Sequence, residues 1–417
     1  MHVLYFTPAF PPFIGGGERY ARSLALALAA RGLQITVVTS HASREPQLWQ
    51  GTDEQSVDRQ KDGPLTLIRC PIRPFPGGWR GLLLWRKGMV LLSMLPGDRS
   101  KLLSAMARRV PPVTGIGQAL AHLHGRPALV HGFNLSWEYP LVSAHNYAER
   151  HRLPLIVTPF THFGAGEHAR VARNTTMDHQ RKLLNEAHAI LALTTVERDG
   201  FARWEFHPQR VAVVGGGVEP APIVDDGPAI IDDLGLRRPF ALFLGRANYD
   251  KGAIHAAQAT LSLARDGLPL TMVLAGQITE EFRRYRQGLT ASEQERLRAL
   301  GPVDEPTKHA LLQASTMLLL PSQAESFGIV ILEAWQHATA VIGANAGGIP
   351  GVVDDEENGL LVPFGDVYAL AAAMQRLLTD APLRCRLGRR GKEKVQHEYR
   401  WDRVAERVLA VYREVLP

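Results

Sequence analysis

The chain has 417 residues, of which 45% are hydrophobic and 21% are charged. This length predicts two domains of roughly 200 residues each, and the composition is that of a soluble globular protein. There are 47 basic and 41 acidic residues, for a net charge of +6. That mild excess of positive charge suits binding of phosphates, binding to an anionic membrane surface, or solubility alone. The basic residues do not form the groove with interleaved aromatic side chains that binds single-stranded nucleic acid, so we expect no nucleic-acid partner.

Two cysteines, Cys70 and Cys385, are too few for a disulfide framework and predict a reducing compartment. Met1 leads directly into an apolar run without a basic segment, so we expect no signal peptide. No apolar run reaches the roughly 18 residues that span a bilayer. These features predict a cytoplasmic protein, with the inner face of the membrane as a second location.

Apolar runs that are typical of buried strands alternate with helical stretches through the first half of the chain. The polar stretch 45–63 is predicted to be a loop. This alternation predicts a parallel sheet with helices on both faces, in which ligands bind beyond the carboxyl ends of the strands. The predicted strands are 3–7, 34–40, 65–70, 128–131, 155–158, 189–193 and 211–214.

Gly15, Gly16 and Gly17 separate the first strand from the first helix. Glycines allow a ligand to approach the backbone closely, so this segment fits a phosphate cradle or a tight turn equally well. His131 and His162 each lie at the end of a predicted strand. Two interpretations of each histidine are open: it contacts a ligand, or it has a structural role. No Cys/His spacing typical of zinc is present, and we predict no bound zinc.

The segment 77–110 interleaves basic residues with Trp, Leu and Met. Such a pattern resembles an interfacial amphipathic segment, and residues 79–109 would then contact a membrane peripherally. The alternative is a pair of helices that pack on the domain with their arginines outward.

Gly215, Gly216 and Gly217, followed by an acidic and proline-containing stretch to 226, predict a linker. A second α/β unit starts with the strand 240–244, and Arg246 and Lys251 follow that strand. The arginine fork and the lysine point charge can clamp a diphosphate there. The alternative is a solvated basic turn.

The segment 321–333 follows the predicted strand 316–320 and opens an apolar helix. Glu325 is expected in the loop and Glu333 about two turns into the helix. The first N–H groups of that helix suit an anion, and carboxylates suit hydroxyl groups, so the segment describes a site for a nucleotide sugar. The alternative is that Glu325 caps the helix and Glu333 is a solvated helix residue.

With these motifs the chain resembles the retaining glycosyltransferases of family 4, over its whole length and most strongly from 240 to 365. Glu325 and Glu333 match the E-x7-E motif of that family, Arg246 and Lys251 match its diphosphate clamp, and Gly15–Gly17 match its glycine loop. The resemblance implies an α/β fold of the GT-B type, in which two Rossmann-like domains face each other across a cleft and a C-terminal helix crosses back to the N-terminal domain. The implied domains are 1–218 on the acceptor side, 219–396 for the donor, and 397–417 for the returning helix.

The resemblance also implies the roles of individual residues. Glu325 would bind hydroxyls of the transferred sugar and Glu333 the ribose hydroxyls. The implied catalytic residues are Glu325, His162, Arg246 and Lys251. The implied donor-binding residues are Gly15, Gly16, Gly17, Arg246, Lys251, Gln277, Val303, Glu325, Ser326, Phe327, Gly328, Ile329 and Glu333. No cofactor and no metal are expected, because Arg246, Lys251 and the helix end take the place of a metal.

The expected function is transfer of a hexosyl group from a UDP-, GDP- or ADP-sugar to a hydroxyl acceptor, which is a glycan, a lipid-linked sugar or a small molecule. The alternatives are a nucleotide-sugar-binding protein without turnover and a sugar epimerase or hydrolase of similar shape. Three departures from the family pattern concern the identity of the donor: the segment 336–340, Gly351 and Gly216.

Overall fold

The computed structural model describes residues 1–121, 123–161 and 172–416, which divide into two compact units. The first unit contains residues 1–217 and the C-terminal segment from 401 onward. The second unit contains residues 218–400. His162 lies outside the described residues, and its predicted role stays a prediction.

The described part of the first unit contains an eight-stranded sheet with the strand order β3-β4-β2-β1-β5-β6-β7-β8. The strands are β1 (His2–Phe6), β2 (Gln34–Ser40), β3 (Asp58–Asp62), β4 (Leu65–Cys70), β5 (Leu129–Phe133), β6 (Leu155–Thr158), β7 (Ala189–Ala192) and β8 (Val211–Val213). Neighbouring strands are parallel, except that β3 is antiparallel to β4.

The prediction that 45–63 is a loop is wrong at two places. A short helix occupies Gln47–Gln50, and the edge strand β3 pairs with β4. The side chains of β3 are polar and mostly exposed, because it adds to the open edge of the sheet and buries no apolar face. It therefore has none of the apolar signal by which the other strands are found.

The helices of the first unit cover this sheet. They are α1 (Gly16–Ala29), α2 (Gln47–Gln50), α3 (Gly78–Ser93), α4 (Ser100–Ala107), α5 (Ile116–Ala121), α6 (Glu138–His151), α7 (Asp178–Glu186) and α8 (Thr195–Arg203), with a 3₁₀ turn at Ala172–Asn174. Helix α1 buries Tyr20, Leu24 and Leu28, as its helical spacing predicts, and the chain turns after it at the left-handed Gly32.

The C-terminal helix, Trp401–Val415, belongs to the first unit and contributes to its core. Tyr412 is fully buried, and its hydroxyl lies 2.6 Å from Nδ1 of His131 and 3.2 Å from the hydroxyl of Tyr5. The other ring nitrogen of His131 lies 2.8 Å from Oγ1 of Thr158. Burial lowers the pKa of His131 well below its ordinary value. His131 is therefore a neutral core residue, and the interpretation that it meets a ligand is wrong.

The described residues of the second unit form a six-stranded parallel sheet with the order β11-β10-β9-β12-β13-β14. The strands are β9 (Phe240–Leu244), β10 (Thr271–Ala275), β11 (Leu297–Gly301), β12 (Met317–Leu320), β13 (Ala340–Ala344) and β14 (Leu360–Val362). The order reverses between the first strand, β9, and its neighbour β12. Such a switch point is where ligands bind in parallel sheets.

The helices of the second unit connect these strands. They are α9 (Gly227–Asp233), α10 (Ala253–Arg265), α11 (Glu280–Gln287), α12 (Ala291–Glu295), α13 (Glu305–Ala314), α14 (Ile329–Gln336), α15 (Val367–Thr379) and α16 (Ala381–Glu398), with a 3₁₀ turn at Ile349–Gly351. The C-terminal helix of the first unit is α17. No helix in the described ranges is long and apolar enough to cross a bilayer.

Two glycine segments hold the loop 321–328, which connects β12 to α14. A Cβ atom on Gly252 would overlap the carbonyl group of Pro321, and Gly252 has a left-handed φ of +75°. On the other side, Gly347 and Gly348 lie so close to the backbone of Glu325 and Ser326 that no side chain fits. The loop is thus fixed between two neighbouring strand ends by contacts that only glycine permits.

Glu197 joins the loop after β6 to helix α8 inside the first unit. Its Oε1 accepts hydrogen bonds from the backbone N–H and the hydroxyl of Thr161, both at 2.7 Å, and its Oε2 accepts one from the N–H of Leu193 at 2.7 Å. Burial raises the pKa of Glu197 to about 7, although these three donors favour the ionised form.

We expect Gly252→Ala to destabilise the protein by more than about 2 kcal/mol, because the new Cβ meets a backbone carbonyl as well as an unfavourable φ. Gly267→Ala is the matched control, since Gly267 has a φ of +82° with open space around its Cβ position. Urea unfolding of both variants measures the difference. Equal losses of stability in the two variants would contradict the close approach of Gly252 to the carbonyl group of Pro321.

We expect Glu197 to make stability fall as the pH rises from about 5 to about 7. Between these pH values the folded protein holds a proton on Glu197 that the unfolded chain has released. The stability that comes from this proton is therefore fully present below the unfolded pKa of Glu197 and is lost as the pH rises through about 7. Unfolding of the wild type and of Glu197→Gln across this range checks the prediction. The variant should lack this part of the decline, whereas Glu149→Gln, at an exposed position of the same unit, should retain it.

Candidate functional site

A lysine and a glutamate meet at the switch point of the second sheet. Lys251 follows β9 and Glu325 follows β12, and the Lys251 ammonium donates a hydrogen bond of 2.7 Å to Oε2 of Glu325. A second contact of 3.3 Å joins Lys251 to the carbonyl oxygen of Ala324. The two side chains are 32% and 21% exposed, respectively. The pair is therefore partly open to solvent and accessible to a ligand.

Backbone contacts fix the position of Glu325. The N–H of Gln323 donates to the carbonyl of Asp250 at 2.9 Å, and the N–H of Gly348 donates to the carbonyl of Glu325 at 2.6 Å. Together with the glycine contacts around Pro321, these bonds tie the loop to both neighbouring strand ends. The carboxylate of Glu325 is therefore carried by a loop whose backbone is held in place, as a preorganised binding group requires.

Helix α14 starts directly after this loop. Gly328 is its N-cap with a φ of +87°, and Ile329 is its first residue. Glu333 is therefore the fifth helical residue, little more than one turn from the start, and the expected two turns are wrong. The Phe327 ring is buried against Tyr399 at a centroid distance of 5.6 Å, so only the backbone of Phe327 is available at the helix end. Ser326 and Ile329 are half-buried.

Glu333 is buried, and the interpretation of Glu333 as a solvated helix residue is wrong. Its Oε1 accepts a bond of 2.8 Å from Lys308 on α13. The two side chains are only 8% and 10% exposed, and Lys308 also lies 2.6 Å from Glu305. This ion pair joins the first turns of α13 and α14 at the same edge of the sheet.

Our sequence reasoning did not identify Lys308 as a functional residue. The signal for it was present, because Lys308 precedes the apolar run Ala310–Leu312 on a helix that must bury one face. A lysine on a buried face requires a carboxylate partner. Glu333 is that partner.

Two histidines lie beside this ion pair. Nδ1 of His309 and Nε2 of His337 are 2.8 Å apart, so one imidazole donates to the other. Burial, together with neighbouring charged groups, lowers the pKa of His337 to about 4 and also lowers that of His309. Both rings are neutral near pH 7. The segment 336–340, where the chain departs from the family pattern, thus takes part in a hydrogen bond between two neutral imidazoles.

The remaining predicted donor residues of the second unit lie at the same sheet edge. Arg246 is exposed after β9, Gln277 is exposed after β10, and Val303 is half-buried after β11. The carbonyl of Gln277 accepts a bond of 2.9 Å from the N–H of Ala247, which joins the first two of these loops. The fold thus brings the Arg246, Gln277 and Val303 positions to the edge that carries Lys251 and Glu325.

The glycine loop belongs to the first unit. Gly15 has an extended φ of −163° and caps α1, and Gly17 faces the ring of Phe160. The carboxyl group of Glu18 folds back to where a Cβ on Gly15 would stand, and burial raises its pKa. The start of α1 therefore carries its own acidic group. The donor contacts expected of Gly15–Gly17 stay predictions.

These groups have complementary chemistry. Cationic side chains and the N–H groups at the start of α14 can hold a diphosphate, while Glu325 and Glu333 can accept hydrogen bonds from hydroxyl groups. Within the described ranges, no three His, Cys, Asp or Glu side chains form a cluster that could hold a metal ion.

We expect Lys308→Met to destabilise the protein by about 3 kcal/mol, because it removes the ammonium group that pairs with the buried Glu333 carboxylate. Chemical unfolding measures this loss. The double variant Lys308→Met/Glu333→Met should regain much of it, since neither charge is then buried alone. A single variant as stable as the wild type would contradict the buried pair.

Two family models match the chain. The model described as "Glycosyl transferase 4-like domain" matches residues 15–217, and the model described as "Glycosyl transferases group 1" matches residues 230–394. Together they account for most of both units.

Individual proteins are also similar to this chain. The alpha-maltose-1-phosphate synthase of Mycolicibacterium smegmatis is 32% identical over 57% of this chain and 65% of its own length. The glycogen synthase of Mycobacterium tuberculosis is 25% identical over 99% and 94% of the two chains. The chain thus spans about two thirds of the first of these relatives and nearly all of the second.

A solved structure has the same fold over the whole chain. Anabaena HepE, crystallised in complex with UDP-glucose, superimposes with a TM-score of 0.69 at 17% identity, covering 99% of this chain and all of HepE. With the two mainly parallel sheets, the E-x7-E segment at the switch point and the two matched models, the chain belongs to the retaining glycosyltransferases of family 4 and has the GT-B fold.

Proposed function

We propose that the protein transfers a hexosyl group from a nucleoside diphosphate sugar to a hydroxyl acceptor, with retention and without a metal ion. The observation that carries the proposal is the Lys251–Glu325 pair at the switch point, next to the start of α14 and to the buried Glu333. The UDP-glucose in the HepE complex favours UDP as the nucleotide.

In this proposal the diphosphate lies against Arg246, Lys251 and the N–H groups at the start of α14. Lys251 is one-third exposed, so it can exchange part of its contact with Glu325 for a phosphate oxygen. Glu325 then turns its carboxylate to the hydroxyls of the sugar, and Glu333 accepts hydrogen bonds from the ribose hydroxyls while Lys308 keeps its carboxylate oriented.

Transfer breaks the bond between C1 of the sugar and the diphosphate oxygen and forms a bond between C1 and the acceptor oxygen on the same face. The acceptor proton passes to the leaving diphosphate. Arg246, Lys251 and the helix start stabilise the negative charge that develops on that diphosphate. The protein supplies positioning and electrostatics, and the diphosphate itself acts as the base.

The alternative of a binding protein without turnover keeps the same site. The observation in favour of this alternative is that the segment 336–340, with its neutral histidine contact, departs from the family pattern. Donor binding with no nucleotide release in the presence of a hydroxyl acceptor would support it.

The proposal is tested by calorimetric titration with UDP, GDP, ADP and their glucose derivatives, in magnesium and in chelator. We expect one base to bind, to bind equally well in chelator, and to bind at least about tenfold more weakly to Glu333→Ala, because that variant loses hydrogen bonds to the ribose. Glu149→Ala, at an exposed position of the first unit, is the control. No binding of any nucleotide would refute the proposal, and binding only with magnesium would refute its metal-independent form.

A further inference from the structure

The segment 77–110 carries the whole net charge of the chain. It contains seven basic residues and one acidic residue, Asp98, so its net charge is +6, equal to that of the full chain. The rest of the chain therefore has 40 basic and 40 acidic residues and is neutral. The net electrostatic attraction of the whole protein to a large anionic partner therefore comes from the charge of this segment.

The same segment exposes most of the large apolar side chains on the surface. Of the 13 exposed large hydrophobic residues in the described ranges, seven lie between residues 79 and 102, with exposed fractions of 40–69%. They are Trp79, Leu83, Leu84, Leu91, Met94, Leu95 and Leu102. Single exposed apolar residues are normal, but a concentration of this kind marks an interaction surface.

Basic and apolar side chains alternate along one stripe of helix α3. Arg80, Leu84, Lys87 and Leu91 are all exposed, and their spacings of four, three and four residues place them one above another. Lys101 and Leu102 repeat the pairing on α4. The alternative of two helices that pack on the domain with arginines outward agrees with α3 and α4, and the structure adds that leucines face outward with the basic residues.

The opposite side of α3 fixes the helix to the first unit. Leu82 and Met89 are buried, and Nε1 of Trp85 donates to the carbonyl of Met106 at 3.2 Å. Arg86 bridges to Glu138 at 3.6 Å and donates to the carbonyl of Ser136. The outer stripe is thus presented by a helix that the unit holds in place, so binding does not have to order it first.

We propose that the exposed side chains of 79–102, here called the α3 surface, dock on a bilayer of anionic phospholipids. Leu84, Leu91 and their apolar neighbours enter the boundary between headgroups and acyl chains, while Arg80, Lys87 and Lys101 contact the phosphates. Charge complementarity favours an anionic bilayer, because the net positive charge of the whole chain lies in this segment beside its exposed apolar side chains. One consequence rests on the proposed function: the acceptor is then a molecule of the membrane.

The test is co-sedimentation with vesicles of phosphatidylcholine alone and of phosphatidylcholine with phosphatidylglycerol. The wild type should bind the anionic vesicles and lose that binding as salt is raised. Leu84→Ser/Leu91→Ser and Arg80→Ala/Lys87→Ala should each reduce the bound fraction about tenfold or more. The control Ile223→Ser/Tyr368→Ser removes two side chains that are more exposed, at 89% and 87%, but lie outside the surface, and it should bind like the wild type.

Three results would overturn the proposal. One is equal binding to neutral and anionic vesicles, and another is an equal loss in the control variant. The third is a wild type that sediments as a dimer and becomes a monomer in Leu84→Ser/Leu91→Ser, which would assign the surface to a second copy of the chain. Nucleotide titration of the same variants separates this proposal from the donor site, since the surface variants should bind nucleotide normally whether or not they bind vesicles.

Discussion

The site in the second unit depends on the close approach of three backbone segments at one sheet edge. The loop 321–328 fits between Gly252 on one side and Gly347 and Gly348 on the other, and neither gap has room for a Cβ atom. Because the loop is held from both sides, the fold itself places the carboxylate of Glu325 beside Lys251. Glycine in these positions is therefore a steric requirement and not a source of flexibility.

Two ion pairs of different character lie at this edge. Lys251 and Glu325 are partly exposed, so water screens their attraction and a charged ligand can replace part of it at low cost. Lys308 and Glu333 are nearly buried, so separating them is expensive. The first pair can respond to a charged ligand, while the second holds a carboxylate in a fixed position. In the proposed function the first pair adapts to the phosphates and the second is fixed for the ribose.

Much of the fold follows from the sequence because parallel strands buried on both faces are continuous apolar runs. The same reasoning misses β3, whose polar side chains add to an open edge, and it places Glu333 too deep in its helix because Gly328 takes the cap position. The positions of Glu325 and Lys251 follow from strand ends and spacing. Their direct contact, and the partnership of Glu333 with Lys308, depend on packing between helices that are distant in sequence.

The C-terminal helix α17 has a consequence for the order in which the protein can be assembled during synthesis. The hydroxyl of Tyr412 closes a buried chain of contacts to His131 and Tyr5, so the core of the first unit includes a residue that is synthesised after the whole of residues 218–400. Residues 218–400, in contrast, are contiguous and contain all the strands of their own sheet. The first unit can therefore complete its core only after residues 218–400 have been synthesised, whereas the second unit has all of its strands by then, in contrast to a simple N-terminal-first order of domain folding.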